Sequence, residues 1–129
     1  MANAQVRIDD RRGVTERSVA IPHVTIAGTT SGTATAVYTV RAERASIEVR
    51  KFTAVNTTAS AATLTVHTIP DGGTIGAGNT EISALSIAGN TAVDLTDLMG
   101  GFYTEGVAFA AYSDTASAIV VHGWGREVL

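Results

Sequence analysis

The sequence predicts an all-β protein: an antiparallel two-sheet β-sandwich or jelly roll of about eight strands, preceded by an extended N-terminal arm. Three observations carry this. Short runs alternate apolar with small polar residues, and Gly, Pro, Asn or Asp turn signals interrupt them about every 8–12 residues. Thr, Val and Gly are too dense for an amphipathic helix longer than two turns. From Phe52 to Val93 only Asp71 and Glu81 are charged, in a stretch otherwise built from Thr, Ser, Ala, Asn, Gly and aliphatic residues.

The elements follow in order. Met1 to Ser18 holds Arg7, Asp9, Asp10, Arg11, Arg12, Glu16 and Arg17 against three strongly apolar residues, Val6, Ile8 and Val14. Such a segment buries too little area to offset its ordering entropy, so it is expected to be an arm ordered by a neighbour, with the body spanning 19–129. Val19 to Ala27 reads as a strand, and Pro22 confines it to an edge. After the loop Gly28–Gly32, Ala34 to Val40 alternates, with Ala36, Tyr38 and Val40 on one face. Ala45 to Val55 is a longer strand whose apolar phase slips at Arg50–Lys51, the mark of a β-bulge or a bend. Asn56 to Ser60 turns the chain.

Ala62 to Ile69 points Leu64 and Val66 inward and Thr63, Thr65 and His67 outward. Pro70-Asp71-Gly72-Gly73 is a turn, because Pro fixes φ and Gly accepts positive φ. Thr74 to Asn79 is a glycine-rich connection. Thr80 to Ala88 and Thr91 to Leu95 are strands around a Gly89-Asn90 turn, and Leu98 to Phe102 is a short turn or crossing. Thr104 to Tyr112 reads as one strand, with Val107, Phe109 and Ala111 inward. The last strand, Ala116 to Val128, stays apolar to its end, which places Trp124 in or beside the core. Phe52, Phe102 and Phe109 are the other large candidates for a small-grained core.

Composition narrows the function. The chain has 129 residues, enough for one domain with a real core. It has no cysteine, which removes disulfides, thiolate metal sites and cysteine nucleophiles. A net charge of −3 does not imply a nucleic-acid partner. No apolar run is long enough to cross a membrane, and no secretory signal opens the chain, so a product made in the cytoplasm is expected.

No catalytic constellation is apparent, and we expect neither an enzyme nor a bound cofactor or metal. His23, His67 and His122 are too far apart in sequence to make a local metal motif. Asp71, Asp94, Asp97, Asn79 and Asn90 sit singly in turns, unlike a calcium loop. Gly72 to Gly78 lacks the lysine and following helix of a phosphate loop. Glu43, Glu48, Glu81 and Glu105 are a scatter of carboxylates such as any all-β domain carries, and no Gly-x-Ser-x-Gly elbow exists. The basic residues are lopsided, eight arginines to one lysine (Lys51). Arginine is the cation of interfaces, because its weakly hydrated fork binds carboxylates in two places. Arg7, Arg11, Arg12, Arg17, Arg41, Arg44 and Arg50 are therefore the candidate interface residues. Arg41, Glu43, Arg44, Glu48, Arg50 and Lys51 are close enough in sequence to form one charged patch.

The run from Val37-Tyr38-Thr39-Val40, through Val55-Asn56-Thr57-Thr58, Ala62-Thr63-Leu64-Thr65-Val66 and Ile69-Pro70-Asp71-Gly72-Gly73, to Asn79 resembles a group of small phage virion proteins. In that group a Tyr-x-Val strand leads into a Pro-containing turn, where this chain has Arg41-Ala42-Glu43. The resemblance covers Val37 to Leu98 and implies a β-sandwich accessory part of a capsid or tail. The leading expectation is a capsid decoration (cement) protein. It would bind the major capsid protein or another virion protein and form a symmetric homo-oligomer such as a trimer. A tail, baseplate or head–tail connector part is the close alternative, and a carbohydrate-binding or fibre-tip module the more distant one. Neither nucleic acid nor membrane is an expected partner.

Overall fold

The computed structural model describes residues 16–41 and 46–128, and they form nine strands in two antiparallel sheets. The strands are β1 (Glu16–Thr25), β2 (Thr35–Thr39), β3 (Ser46–Asn56), β4 (Ala62–Ile69), β5 (Thr80–Ile87), β6 (Ala92–Asp94), β7 (Phe102–Thr104), β8 (Ala108–Ser113) and β9 (Ile119–Val128). The first sheet has the order β1-β9-β3-β6, with β7 pairing the other half of β3. The second has the order β2-β8-β4-β5. The pairing is nested: first strand with last, second with next to last, third with β6 and β7, fourth with fifth. That is a jelly roll, a single long hairpin rolled into two facing sheets.

β6 and β7 occupy one strand position, so the roll has eight. Between them the chain leaves the ladder to drive Leu95 and Leu98 into the core. Backbone bonds from Leu95 N–H to Phe52 O (2.7 Å) and from Gly100 N–H to Val49 O (2.6 Å) keep the detour tied to β3. The expected single strand from Thr104 to Tyr112 is in fact two. Gly106, at φ 85°, turns the chain between β7 and β8, and Asp71 packs into the space where its side chain would be.

Alternation accounts for the core until a bulge interrupts it. Trp124 pairs with Lys51 and Gly125 with Val49, so Arg50 is the extra residue of a bulge at the expected place. Inward positions of β3 are then Ile47, Val49, Phe52, Ala54 and Asn56, all buried. In β2 the register shifts between Ala36 and Tyr38, so strict alternation fails there. Val37 joins the core, and Ala36 lies opposite Ala110 on the outer surface. On β9 the inward residues Gly123 and Gly125 leave room for β3. A side chain on Gly125 would press within 2.6 Å of Glu48 O and 2.9 Å of the Ile47 side chain.

The aromatic expectation is half corrected. Phe52 and Phe109 are buried, with ring centroids 5.8 Å apart in an edge-to-face pair. Phe102 is 68% exposed and Trp124 is 44% exposed. The reason is register: Trp124 falls on the outward phase of β9 and Phe102 on the outward phase of β7. The C-terminal segment does dock in the parent sheet, with Val128 opposite Glu16 and Ser46.

Candidate functional site

The strand β9 ends with an inward-facing carboxylate. Glu127 lies opposite Arg17 on β1 and Ile47 on β3, and its side chain is 1% exposed. Its two oxygens are taken by two arginines. Arg17 Nε donates to Oε1 at 2.8 Å, and Arg41 Nε donates to Oε2 at 3.0 Å. Arg17 belongs to the first sheet, whereas Arg41 follows β2 of the second, so the ion triad bridges the two sheets at one mouth of the roll. A carboxylate is tolerable there because both its oxygens are matched by charged donors.

The floor of this mouth is a small apolar group: Val40 and Ile47, with Val19, Tyr38, Tyr103 and Val107 packed against them. A relay of rings joins it to the main core. Tyr103 meets Phe109 edge-to-face at 4.9 Å, and Tyr38 lies 6.5 Å from the same ring. Burial raises the pKa of the Tyr38 hydroxyl, and the Glu127 charge adds to the rise, while Arg41 and Arg17 pull against it. The Tyr103 hydroxyl is raised by burial and then by Glu81. Both hydroxyls therefore stay protonated donors beyond the usual range.

The other sequence candidates separate. Arg50 contacts Glu48 at 3.6 Å on the outer surface of the first sheet, where Arg126 reaches Glu16 (3.2 Å) and Glu48 (3.7 Å). Lys51 bonds Asp94 at 3.0 Å on the same surface. Lys51 and then Thr53, through their hydrogen bonds, hold the Asp94 carboxyl below its ordinary value. The expected single patch from Arg41 to Lys51 is thus divided: Arg41 turns to the mouth, and Glu48, Arg50 and Lys51 face outward. Arg7, Arg11, Arg12 and Arg44, with the arm up to Thr15, lie outside the described residues. Glu16, Arg17 and Ser18, expected in the arm, are part of β1.

The histidines divide in the same way. His23 and His122 stack on the outer surface of the first sheet at 4.2 Å. His67 points away from the core as expected, yet it is only 3% exposed. Its Nδ1 bonds Asn79 Oδ1 at 2.9 Å, and Asn79 Nδ2 donates to Thr74 O at 2.8 Å, so the glycine-rich connection is stapled over β4. Among the described residues no group of three potential metal ligands comes together.

Sequence reasoning missed Glu127. Its signal was available in the alternation of β9, where Ile119, Val121, Gly123 and Gly125 set an inward phase that residue 127 continues. A lone acid in an apolar strand end is easily taken for a frayed terminus.

The outer surfaces of the two sheets differ in kind. The first carries Glu16, Glu48, Arg50, Lys51, Asp94 and Arg126 around exposed Trp124. The outward positions of β2, β8 and β4 hold no Asp, Glu, Lys or Arg; Ala36, Thr39, Ala108, Ala110, Tyr112 and Thr63 represent them. No protein-family model matches the sequence, and no curated protein is similar to it.

Proposed function

We propose that this chain is a structural component of a virion, a capsid decoration protein that packs against copies of itself and against the shell. The observation that carries the reading is the segregation of charge between the two sheets. In a symmetric assembly a charge beside the symmetry axis faces its own copy, and a charge elsewhere in the contact needs a matching opposite charge on the neighbour. The face formed by β2, β8 and β4 is small, polar and neutral, with Glu81 exposed on the edge strand β5, so it largely avoids that repulsion and can pack closely. The jelly-roll frame is one that capsid proteins use, and the phage-like run of strands and turns from Val37 to Asn79 points the same way. The partners in this reading are the major capsid protein and further copies of the chain. The site of action is the assembled particle.

Copy number tests it. The full chain, tagged at one end, is quantified on particles purified from cells that produce it. A number matching the repeat of the whole shell is expected. A single ring of copies would replace decoration with a tail or connector role, and absence from particles would overturn the virion reading.

A further inference from the structure

We propose that Arg17 and Arg41, held side by side on Glu127, form a receptor for an acidic side chain, Asp or Glu, of a protein partner. The inference rests on the reading of the chain as an assembly component and adds to it the chemistry of one contact.

The mouth is built for this. Both arginines use Nε to bind the buried carboxylate. Their four Nη groups take no part in those bonds, and the side chains are 52% and 45% exposed. Arginine normally loses much rotamer freedom when it binds an anion; here one end of each guanidinium is already fixed. Two guanidinium groups and one carboxylate give the triad itself a charge of +1, with Glu81 acting on the mouth from the side of Tyr103. A second carboxylate would bring the set to neutrality and could bridge the forks from the solvent side, with Glu127 bridging from the core side. That balance favours one acidic side chain over a polyanion, which would need a longer basic track than two guanidinium groups on a chain of net charge −3. The other described arginines differ: Arg50 and Arg126 are each paired with Glu48 on an open sheet surface.

The full chain labelled for observation of arginine Nε–H signals tests the receptor. Sodium acetate, the carboxylate probe, is titrated against sodium chloride at constant ionic strength, with inorganic phosphate in parallel. We expect saturable shifts at Arg17 and Arg41 with one shared midpoint, and no saturation at Arg50 or Arg126. Arg41→Gln should weaken the Arg17 response about tenfold. Arg41→Lys, which keeps the positive charge and a donor for Glu127, should still weaken it about threefold or more, because the fork is lost. Backbone amide spectra confirm that each variant is folded. Equal responses at all four arginines, or acetate no better than chloride, would overturn the receptor. Phosphate binding more than about tenfold tighter than acetate would overturn the choice of an acidic side chain. The titration needs no assembly, so a failed receptor and a failed decoration role give separate signatures.

Discussion

The two ends of the roll solve the same problem differently. β3 and β9 run antiparallel, and each finishes its inward series with a buried polar residue: Asn56 at one end, Glu127 at the other. Asn56 is complete. Its amide nitrogen donates to Ser60 O (2.8 Å) and Ile87 O (2.9 Å), and its oxygen accepts from Thr58 N–H (2.9 Å) and Thr58 Oγ1 (2.8 Å). Every partner lies within the chain and none is charged. Glu127 is matched too, but by cations with donors to spare at the rim. One end is sealed by neutral bonds that ask nothing of a neighbour, and the other carries surplus charge outward. A polar plug can therefore belong to the fold alone or serve the fold and a partner together, and the spare valence of its ligands tells the two apart.

The largest expected effect breaks the charged end. Replacing both Arg17 and Arg41 by Met strands Glu127 in an apolar mouth and should cost about 3–5 kcal/mol in urea unfolding. Adding Glu127→Met should recover most of that loss, since an apolar triad removes the stranded charge. Glu127→Met by itself should be milder, because half-exposed arginines can turn to water. A double-arginine variant as stable as the native chain would mean that the triad contributes nothing to closing the mouth.

At the neutral end, Asn56→Ala removes the side-chain bonds to Ile87 O and from Thr58 N–H, leaves Ser60 O with its Thr58 Oγ1 bond, and should cost about 3 kcal/mol. Adding a compensating change should be harder there, because the orphaned groups are backbone. The contrast between a loss that Met rescues and one that no single side chain rescues is the sharpest energetic form of the comparison.

The strand pattern was largely legible in the sequence, because a two-residue period and Gly, Pro and Asx turns are local signals. The bulge at Arg50 was readable as a phase slip. The break at Gly106 was not, because a glycine between Glu105 and Val107 reads equally well as part of a strand. Trp124 and Phe102 were misplaced because size alone drew them to the core, whereas register set them outward. The interface arginines were legible only as a type. That Arg17 and Arg41 meet depends on Glu127, 110 and 86 residues away in sequence, and no local pattern shows such a pairing.

A smaller effect is set by pH. Tyr38 and Tyr103 have folded pKa values raised above the ordinary 10.0. Their contribution to stability is whole below that value and is lost as pH rises through the folded values. Thermal melts should therefore fall steeply above pH 10, and Tyr38→Phe should flatten that limb by removing the hydroxyl next to Glu127. At the acid end, Asp114 is held low, first by the Thr63 N–H, and Asp94 by Lys51 and Thr53. Their contribution is present above the ordinary 3.8 and is lost as pH falls below it. Both lie on the surface, so this limb should be the shallower.

Light scattering of the full chain, compared with its Thr39→Lys variant, bears most directly on the claim that the neutral sheet meets other copies. A closed oligomer of one defined size is expected across micromolar concentrations, and a folded monomer once lysine is placed on that surface. A native chain that stays monomeric throughout, or an oligomer indifferent to the lysine, would contradict it.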